Sequence, residues 1–177
     1  DLRGRRISLP PGDVWPTSGR AREAFFNIVG ARIEGSLFLD LFAGSGIFSF
    51  EAVSRGAARA IAIDKSRKAA RQIEQTATDW RVPVTAIAAD ALAGLKHLPP
   101  EISITVGYAD PPYAYPSYAE LVETLDGSGF LGVGAIMGVE HRKGALPFDP
   151  GGLRNLRLKR TVAYSDVAIT LLEVPSD

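Results

Sequence analysis

A chain of 177 residues, 46% hydrophobic and without cysteine, is long enough for one well-buried core and excludes disulfide and thiolate chemistry; with only His97 and His141 as soft ligands, no metal site is expected. Its 20 Lys/Arg balance 20 Asp/Glu, but residues 1–32 carry six basic residues against three acidic ones and residues 141–160 six against one, so two basic segments flank an acidic middle. No apolar run approaches the roughly 20 residues of a membrane span, and the basic start lacks the apolar stretch of a signal peptide. The expectation is a soluble cytoplasmic protein without membrane partners, one domain over 1–177, with a basic extension and helix at 1–32 and a core at 33–177.

Thr17 or Ser18 can cap a first helix in which Ala21, Ala24, Phe25, Ile28 and Val29 fall at helical spacing and which Gly30 closes. Leu37–Leu41 is a short apolar run that ends in a Gly-rich turn, followed by a helix to about Arg55 and a stop at Gly56. The same pattern returns three times: strand Arg59–Asp64 with a helix near 66–79, strand Val84–Ile87 with a helix near 91–98, and strand Ile102–Val106 with a helix near 117–126. A fifth strand is predicted at Ala135–Val139. Leu156–Ala163 and Val167–Val174 flank Tyr164-Ser165-Asp166 as a closing antiparallel hairpin. Strands alternating with helices at this spacing predict an α/β fold, a doubly wound and mostly parallel seven-stranded sheet with an antiparallel C-terminal end.

Ligands of such sheets sit beyond the carboxyl ends of the strands, so residues at strand ends are the informative ones. Asp40, Asp64, Asp90 and Asp110 each follow an apolar run and should converge on one crevice. The turn after Asp40, Phe42-Ala43-Gly44-Ser45-Gly46, has two glycines that let the backbone bend sharply and approach a ligand. It is neither a G-x-G-x-x-G fingerprint nor a P-loop. Asp64 stands where a carboxylate takes both hydroxyls of a ribose, and Asp90 where one accepts from an adenine amino group. The plainer reading of each aspartate is an N-cap of the following helix.

Asp110-Pro111-Pro112-Tyr113 is the most specific feature of the chain. Two consecutive prolines restrain their own backbone and that of the residue before, so the Asp110 carboxylate and the Pro111 carbonyl are held as acceptors in one direction. An exocyclic amine on a base is a poor nucleophile because its lone pair is delocalised. Two fixed acceptors on its N–H bonds favour the pyramidal nitrogen that attacks a methyl sulfonium. Tyr113 offers a flat face to a flipped base.

Phe42-Ala43-Gly44-Ser45-Gly46 upstream of Asp110-Pro111-Pro112-Tyr113 resembles the class I, Rossmann-like methyltransferases that use S-adenosyl-L-methionine to modify amino nitrogens. The closer resemblance is to the RsmD family, which methylates N2 of a guanine in bacterial small-subunit rRNA. It rests on Arg3-Gly4-Arg5, Pro16-Thr17, Arg20-Ala21-Arg22-Glu23-Ala24-Phe25-Phe26-Asn27, Leu39–Gly46 and Glu51-Ala52-Val53-Ser54-Arg55-Gly56-Ala57. The resemblance implies that the turn 42–46, with Asp40 and Asp110 beside it, holds the methionine part of the cofactor. It implies Asp64 and Lys65 at the ribose, Asp90 and Ala91 at the adenine, and the Thr17 region closing over the cofactor. Asp110, Pro111 and Tyr113 would be the catalytic group, and no metal is called for. Arg3, Arg5, Arg6, Arg20 and Arg22 would form a basic lip toward ribosomal RNA or a small-subunit assembly intermediate. Trp15 and Gly19 depart from the family pattern, where arginine and aspartate are usual. The same chemistry fits an N6-adenine or other amino-nitrogen methyltransferase, and the fold alone fits a non-catalytic RNA-binding module.

Overall fold

The computed structural model describes residues 16–99 and 101–176, and of 16–18 the backbone only. Helix α1 spans Pro16–Val29, so Thr17 and Ser18 lie inside its first turn rather than capping it. The reason is Pro16: its ring presets a helical φ, and the N–H it lacks is one that a first turn leaves unpaired anyway. Along α1, Ala21, Phe25, Phe26 and Val29 form the buried stripe, each large apolar side chain contributing roughly 1.5–3 kcal/mol. Gly30, with φ +56°, ends the helix in the left-handed region, and one 3-10 turn, Gly30–Ile33, leads on.

The remaining elements alternate as their sequence patterns require: β1 (Leu37–Leu41), α2 (Ile47–Ser54), β2 (Arg59–Asp64), α3 (Arg67–Trp80), β3 (Val84–Ala88), α4 (Ala91–Lys96), β4 (Ile104–Ala109), α5 (Tyr118–Gly127), β5 (Leu131–Arg142), β6 (Arg157–Tyr164) and β7 (Val167–Glu173). They form a seven-stranded sheet in the order β3-β2-β1-β4-β5-β7-β6. β1 through β5 pair in parallel, and β7 runs antiparallel between β5 and β6. The chain winds outward from β1 through β2 to β3, then crosses to β4 on the other side of β1. A crevice therefore opens between the carboxyl ends of β1 and β4.

Alternation along the strands divides the apolar residues between two faces. Phe38, Val106, Tyr108, Ile136, Ile169 and Leu171 join α1, α2 and α3 in one core. Leu39, Leu41, Met137, Val139 and Leu172 join α4 and α5 in the other. No helix among the described residues is long and apolar enough to cross a membrane.

Two strands differ from expectation. β4 runs Ile104–Ala109, not 102–106, because its polar-looking end is buried: Gly107 leaves room for Met137, whose Sδ would lie 2.3 Å from a Cβ there, and Tyr108 is fully enclosed. β5 is twelve residues, not five. Gly132, Gly134 and Gly138 interrupt its apolar pattern, and Glu140 and His141, polar by sequence, are buried with partners on neighbouring strands.

Candidate active site

At the end of β1 the chain turns through Phe42 and Gly44, with φ +61° and +54°, and Gly46 with φ +75°. For Phe42 this conformation is costly, about 1–3 kcal/mol, and it persists because the surroundings fix it. Its ring meets Tyr115 edge-on at 5.0 Å, while Ala43 N–H donates to the Ile63 carbonyl at 3.1 Å. Gly46 could not be replaced: beyond its φ, a Cβ would stand 2.9 Å from Ile73 Cγ1. A Cβ at Gly44 would meet nothing within 4 Å, so that side of its backbone is open to whatever binds above the turn.

The four aspartates do not share one environment. Asp40 is buried beneath the turn and accepts from Ser49 N–H at 3.1 Å and Ser49 Oγ–H at 2.7 Å. It thereby caps α2 from below, since Gly46 at the cap position has no side chain to do so. Burial pushes its carboxyl up to about 7, against the lowering effect of the Ser49 bonds. Asp64 is half-buried and accepts from Gly44 N–H and Ser66 N–H, both at 2.8 Å, so the second strand's acid holds the first strand's turn. Asp90 is exposed and caps α4 through Leu92 N–H at 3.0 Å; the plainer reading describes its geometry, and exposure leaves it accessible. Lys65 is exposed and Ala91 buried.

Asp110 follows β4 directly and is tied by its N–H to the Leu41 carbonyl at 3.3 Å, across the β1–β4 opening. Pro111 is buried, while Pro112 and Tyr113 are exposed. The Asp110 carboxyl is pushed up to about 7, first by removal from water, then by the charges of Glu140 and Asp40; solvent that still reaches the residue moderates the shift. Tyr113 is 55% exposed, and the Arg142 guanidinium lies 5.3 Å from its ring centroid. The turn closes with Tyr115 N–H on the Pro112 carbonyl at 2.7 Å.

Sequence reasoning passed over Glu140 and Tyr115. Glu140 is 6% exposed at the end of β5, accepts from the Tyr108 hydroxyl at 2.6 Å, and is raised by burial. The signal was present: Val139-Glu140 is a fifth acid after an apolar run, hidden because the strand reads on into His141 and Arg142. The Tyr115 hydroxyl is buried without a hydrogen-bond partner among the described residues. A second tyrosine two places after Tyr113 was its only sequence mark.

The basic lip is described in part. Arg3, Arg5 and Arg6 lie outside the described residues, as do Trp15 and the Thr17 side chain. Arg20 is exposed. Arg22 is turned inward onto Glu51 at 2.6 Å, and Glu51 also holds Arg55, so the Arg22 guanidinium is engaged within the protein. No group of three or more His, Asp and Glu among the described residues is placed to hold a metal ion.

Comparison with known proteins adds an independent line. The family model described as Conserved hypothetical protein 95 matches residues 1–171. The Escherichia coli (strain K12) ribosomal RNA small subunit methyltransferase D is 32% identical over 175 residues, 97% of this chain and 85% of that protein. The solved structure of the Escherichia coli protein yhhF superposes with a TM-score of 0.84 at 29% identity, covering 99% of this chain and 94% of that one. An RNA methyltransferase from Salinibacter ruber, in complex with S-adenosyl-L-homocysteine, shares the fold at a TM-score of 0.65 and 16% identity, over 97% of this chain and 95% of that one. The architecture is the Rossmann-like methyltransferase fold.

Proposed function

The chain belongs to the Conserved hypothetical protein 95 family, the RsmD family that its sequence resembles, and from that premise we propose that it is a methyltransferase of small-subunit ribosomal RNA, acting on the exocyclic N2 of a guanine with S-adenosyl-L-methionine as cofactor. The observation that carries this reading is Asp110, anchored across the β1–β4 opening beside the open Gly44 turn, with exposed Tyr113 three residues on.

The residues fit the cofactor. In the direction a Cβ of Gly44 would take nothing stands within 4 Å, the Asp64 carboxylate at the end of β2 borders the turn through the Gly44 N–H, Asp90 follows β3, and Tyr115 offers a buried hydroxyl without a partner among the described residues. Gly44 and its turn would hold the methionine portion, with Asp40 fixing that turn from beneath. Asp64, with Lys65 nearby, would hold the ribose hydroxyls, and Asp90 with Ala91 the adenine. When bound, the cofactor supplies a methyl group on a cationic sulfur.

The chain's own residues would do the rest. Asp110 and the Pro111 carbonyl accept the N–H bonds of the target amine and so free its lone pair. The Tyr113 ring stacks on the base, where such contacts contribute about 1–3 kcal/mol. Exposed Arg20, Arg142 and Lys143 are available to phosphates of the RNA or of a small-subunit assembly intermediate. A soluble cytoplasmic enzyme of one domain fits this role.

The test is product identity. The protein is incubated with methyl-labelled cofactor and either small-subunit rRNA or immature small-subunit particles, and the RNA is digested to nucleosides. Label in N2-methylguanosine is the expected result. Label in N6-methyladenosine would replace the guanine reading, and no label in either substrate would overturn the proposal.

A further inference from the structure

Three carboxylates stand at the carboxyl ends of three adjacent parallel strands: Asp40 in β1, Asp110 just after β4, and Glu140 in β5. Register puts them on one face of the sheet. Asp40 pairs with Tyr108, Tyr108 with Gly138, and two residues further along each strand come Asp110 and Glu140. The Tyr108 hydroxyl, reaching Glu140 Oε2 on that face, fixes where the Glu140 side chain lies.

Glu140 accepts the buried Tyr108 hydroxyl, but nothing in that role requires the acceptor to be an acid. Among the described residues it has no ion-pair partner, although it is enclosed, and an enclosed carboxylate without a counter-ion burdens the folded state. Arg142, two places along the same strand, has its guanidinium over the Tyr113 ring. Tyr118, from α5, donates to the Glu140 backbone carbonyl at 3.1 Å and so fixes the strand, not the carboxylate. His141 occupies the opposite face, bonded to Thr170 on β7. The charged and titratable groups around Glu140 are thus Tyr108, Asp110, Asp40, Tyr113, Tyr118 and Arg142. An amide of the same size would accept the Tyr108 hydroxyl and serve the packing equally well, so the charge itself is what the fold leaves unexplained.

We propose that Glu140 is a positioning residue for methyl transfer that acts through Asp110, its unpaired negative charge making the Asp110 carboxylate the acceptor of the proton that the target amine gives up. The inference rests on the methyltransferase reading above. As the nitrogen lone pair forms the new N–C bond, the C–S bond breaks with its electron pair left on sulfur, which becomes neutral. The nitrogen, now cationic, loses one proton to Asp110, and water later removes it from there. A lone exposed aspartate accepts such a proton weakly. One that shares a sheet face with a second carboxylate on the neighbouring strand accepts it more readily, because two anions there are not both ionised without cost. Both carboxyls lie above their usual range, consistent with that arrangement.

Two variants, one isosteric and one that keeps the charge on a shorter side chain, separate this role from a structural one. Glu140→Gln keeps an acceptor for the Tyr108 hydroxyl and removes the charge; Glu140→Asp keeps the charge. In the cofactor-free protein the titration of the Asp110 carboxyl carbon is followed by NMR, and its midpoint should fall on the order of one pH unit in Glu140→Gln and stay near wild type in Glu140→Asp. With RNA and cofactor, the acid limb of the rate profile should move the same way, with a severalfold lower plateau for Glu140→Gln. An unmoved midpoint in a folded Glu140→Gln protein overturns the proposal whatever the activity, as does equal loss of rate in both variants without a shift of the limb. A wild-type protein that methylates no RNA overturns the function instead, and the carboxyl titration then still decides whether Glu140 acts on Asp110.

Discussion

The crevice at the ends of β1, β4 and β5 and the antiparallel end of the molecule use the same side chains in opposite ways. In the crevice, Asp40 and Glu140 are buried and Asp110 stands exposed at the rim; none of them has a cation partner among the described residues, and all three carboxyls are raised. At the antiparallel end, Asp126 of α5 accepts from the backbone N–H groups of Arg154, Asn155 and Leu156 at 2.9, 2.8 and 2.7 Å and is lowered. Glu173 of β7 is lowered too, by Lys159 and Arg32. Asp126 and Glu173 meet enough donors to be lowered; in the crevice the donors Ser49 to Asp40 and Tyr108 to Glu140 do not offset burial, and the Asp110 carboxylate accepts from none among the described residues, so it is the acid a substrate could complete. The contrast sorts carboxylates by purpose without reference to any relative.

Its sharpest test is Asp110→Asn. Asparagine is nearly isosteric but presents an ambiguous amide without charge, so cofactor binding should persist while single-turnover methyl transfer falls about 10²–10³-fold, the usual loss for one fixed transition-state hydrogen bond. A rate within a few-fold of wild type would erase the functional side of the comparison.

The two regions should also respond to pH in opposite directions. A raised acid is protonated in the folded state while already ionised in the unfolded chain, so Asp40 lowers stability as pH rises from about 4 to 7; a shift of that size corresponds to a few kcal/mol at most. Asp126 and Glu173, lowered, stabilise the fold above their unfolded values and lose that contribution only as pH falls below about 4. Asp40→Asn should therefore reduce the slope of the stability profile between pH 4 and 7, followed by urea unfolding, leaving the part that Asp110 and Glu140 contribute and the acid side unchanged. A parallel displacement of the whole curve would mean that Asp40 is not the titrating group.

Much of the parallel half was legible in the sequence, because apolar runs punctuated by Gly, Asp and Pro report strand, turn and helix by local rules. Asp64, Asp90 and Asp110 stand at strand ends as expected. What local rules miss is anything satisfied from a distance. Glu140 reads as a polar residue ending a strand until Tyr108 is seen donating to it, and Gly107-Tyr108 reads as a weak lead until Met137 and Phe48 are seen packed against it. Arg22 reads as a free cation until Glu51, 29 residues on, is found beside it. The left-handed turn at Phe42 carries no sequence mark either, since no glycine stands there.

Asp126→Ala probes the structural region directly. Three backbone donors lose their common acceptor, and the segment 154–156 stays tied to α5 only by the Asn155 amide on the Asp126 carbonyl; water replaces part of the loss, so about 2–3 kcal/mol of stability should go, read from the denaturant midpoint. Methyl transfer at a temperature where the variant is folded should be little affected. A large loss of activity with intact stability would show that the two regions are not separable.

The smallest effect is expected at the edge strand β6, and it decides whether that edge takes part in RNA binding at all. Lys159 is exposed and paired with Glu173, which Arg32 also holds, so Lys159→Ala leaves no charge stranded and should change stability by less than about 1 kcal/mol. Its neighbour Arg160 is equally exposed but has no ion pair among the described residues. A cation already matched by a carboxylate releases few counterions on meeting a phosphate, whereas an unmatched one releases its share. If RNA crosses this edge, Arg160→Ala should lower the slope of log affinity against log salt by about 0.7 while Lys159→Ala leaves it near wild type. Equal slopes for both variants and the wild type would place the RNA path away from β6, toward Arg20 and Arg142.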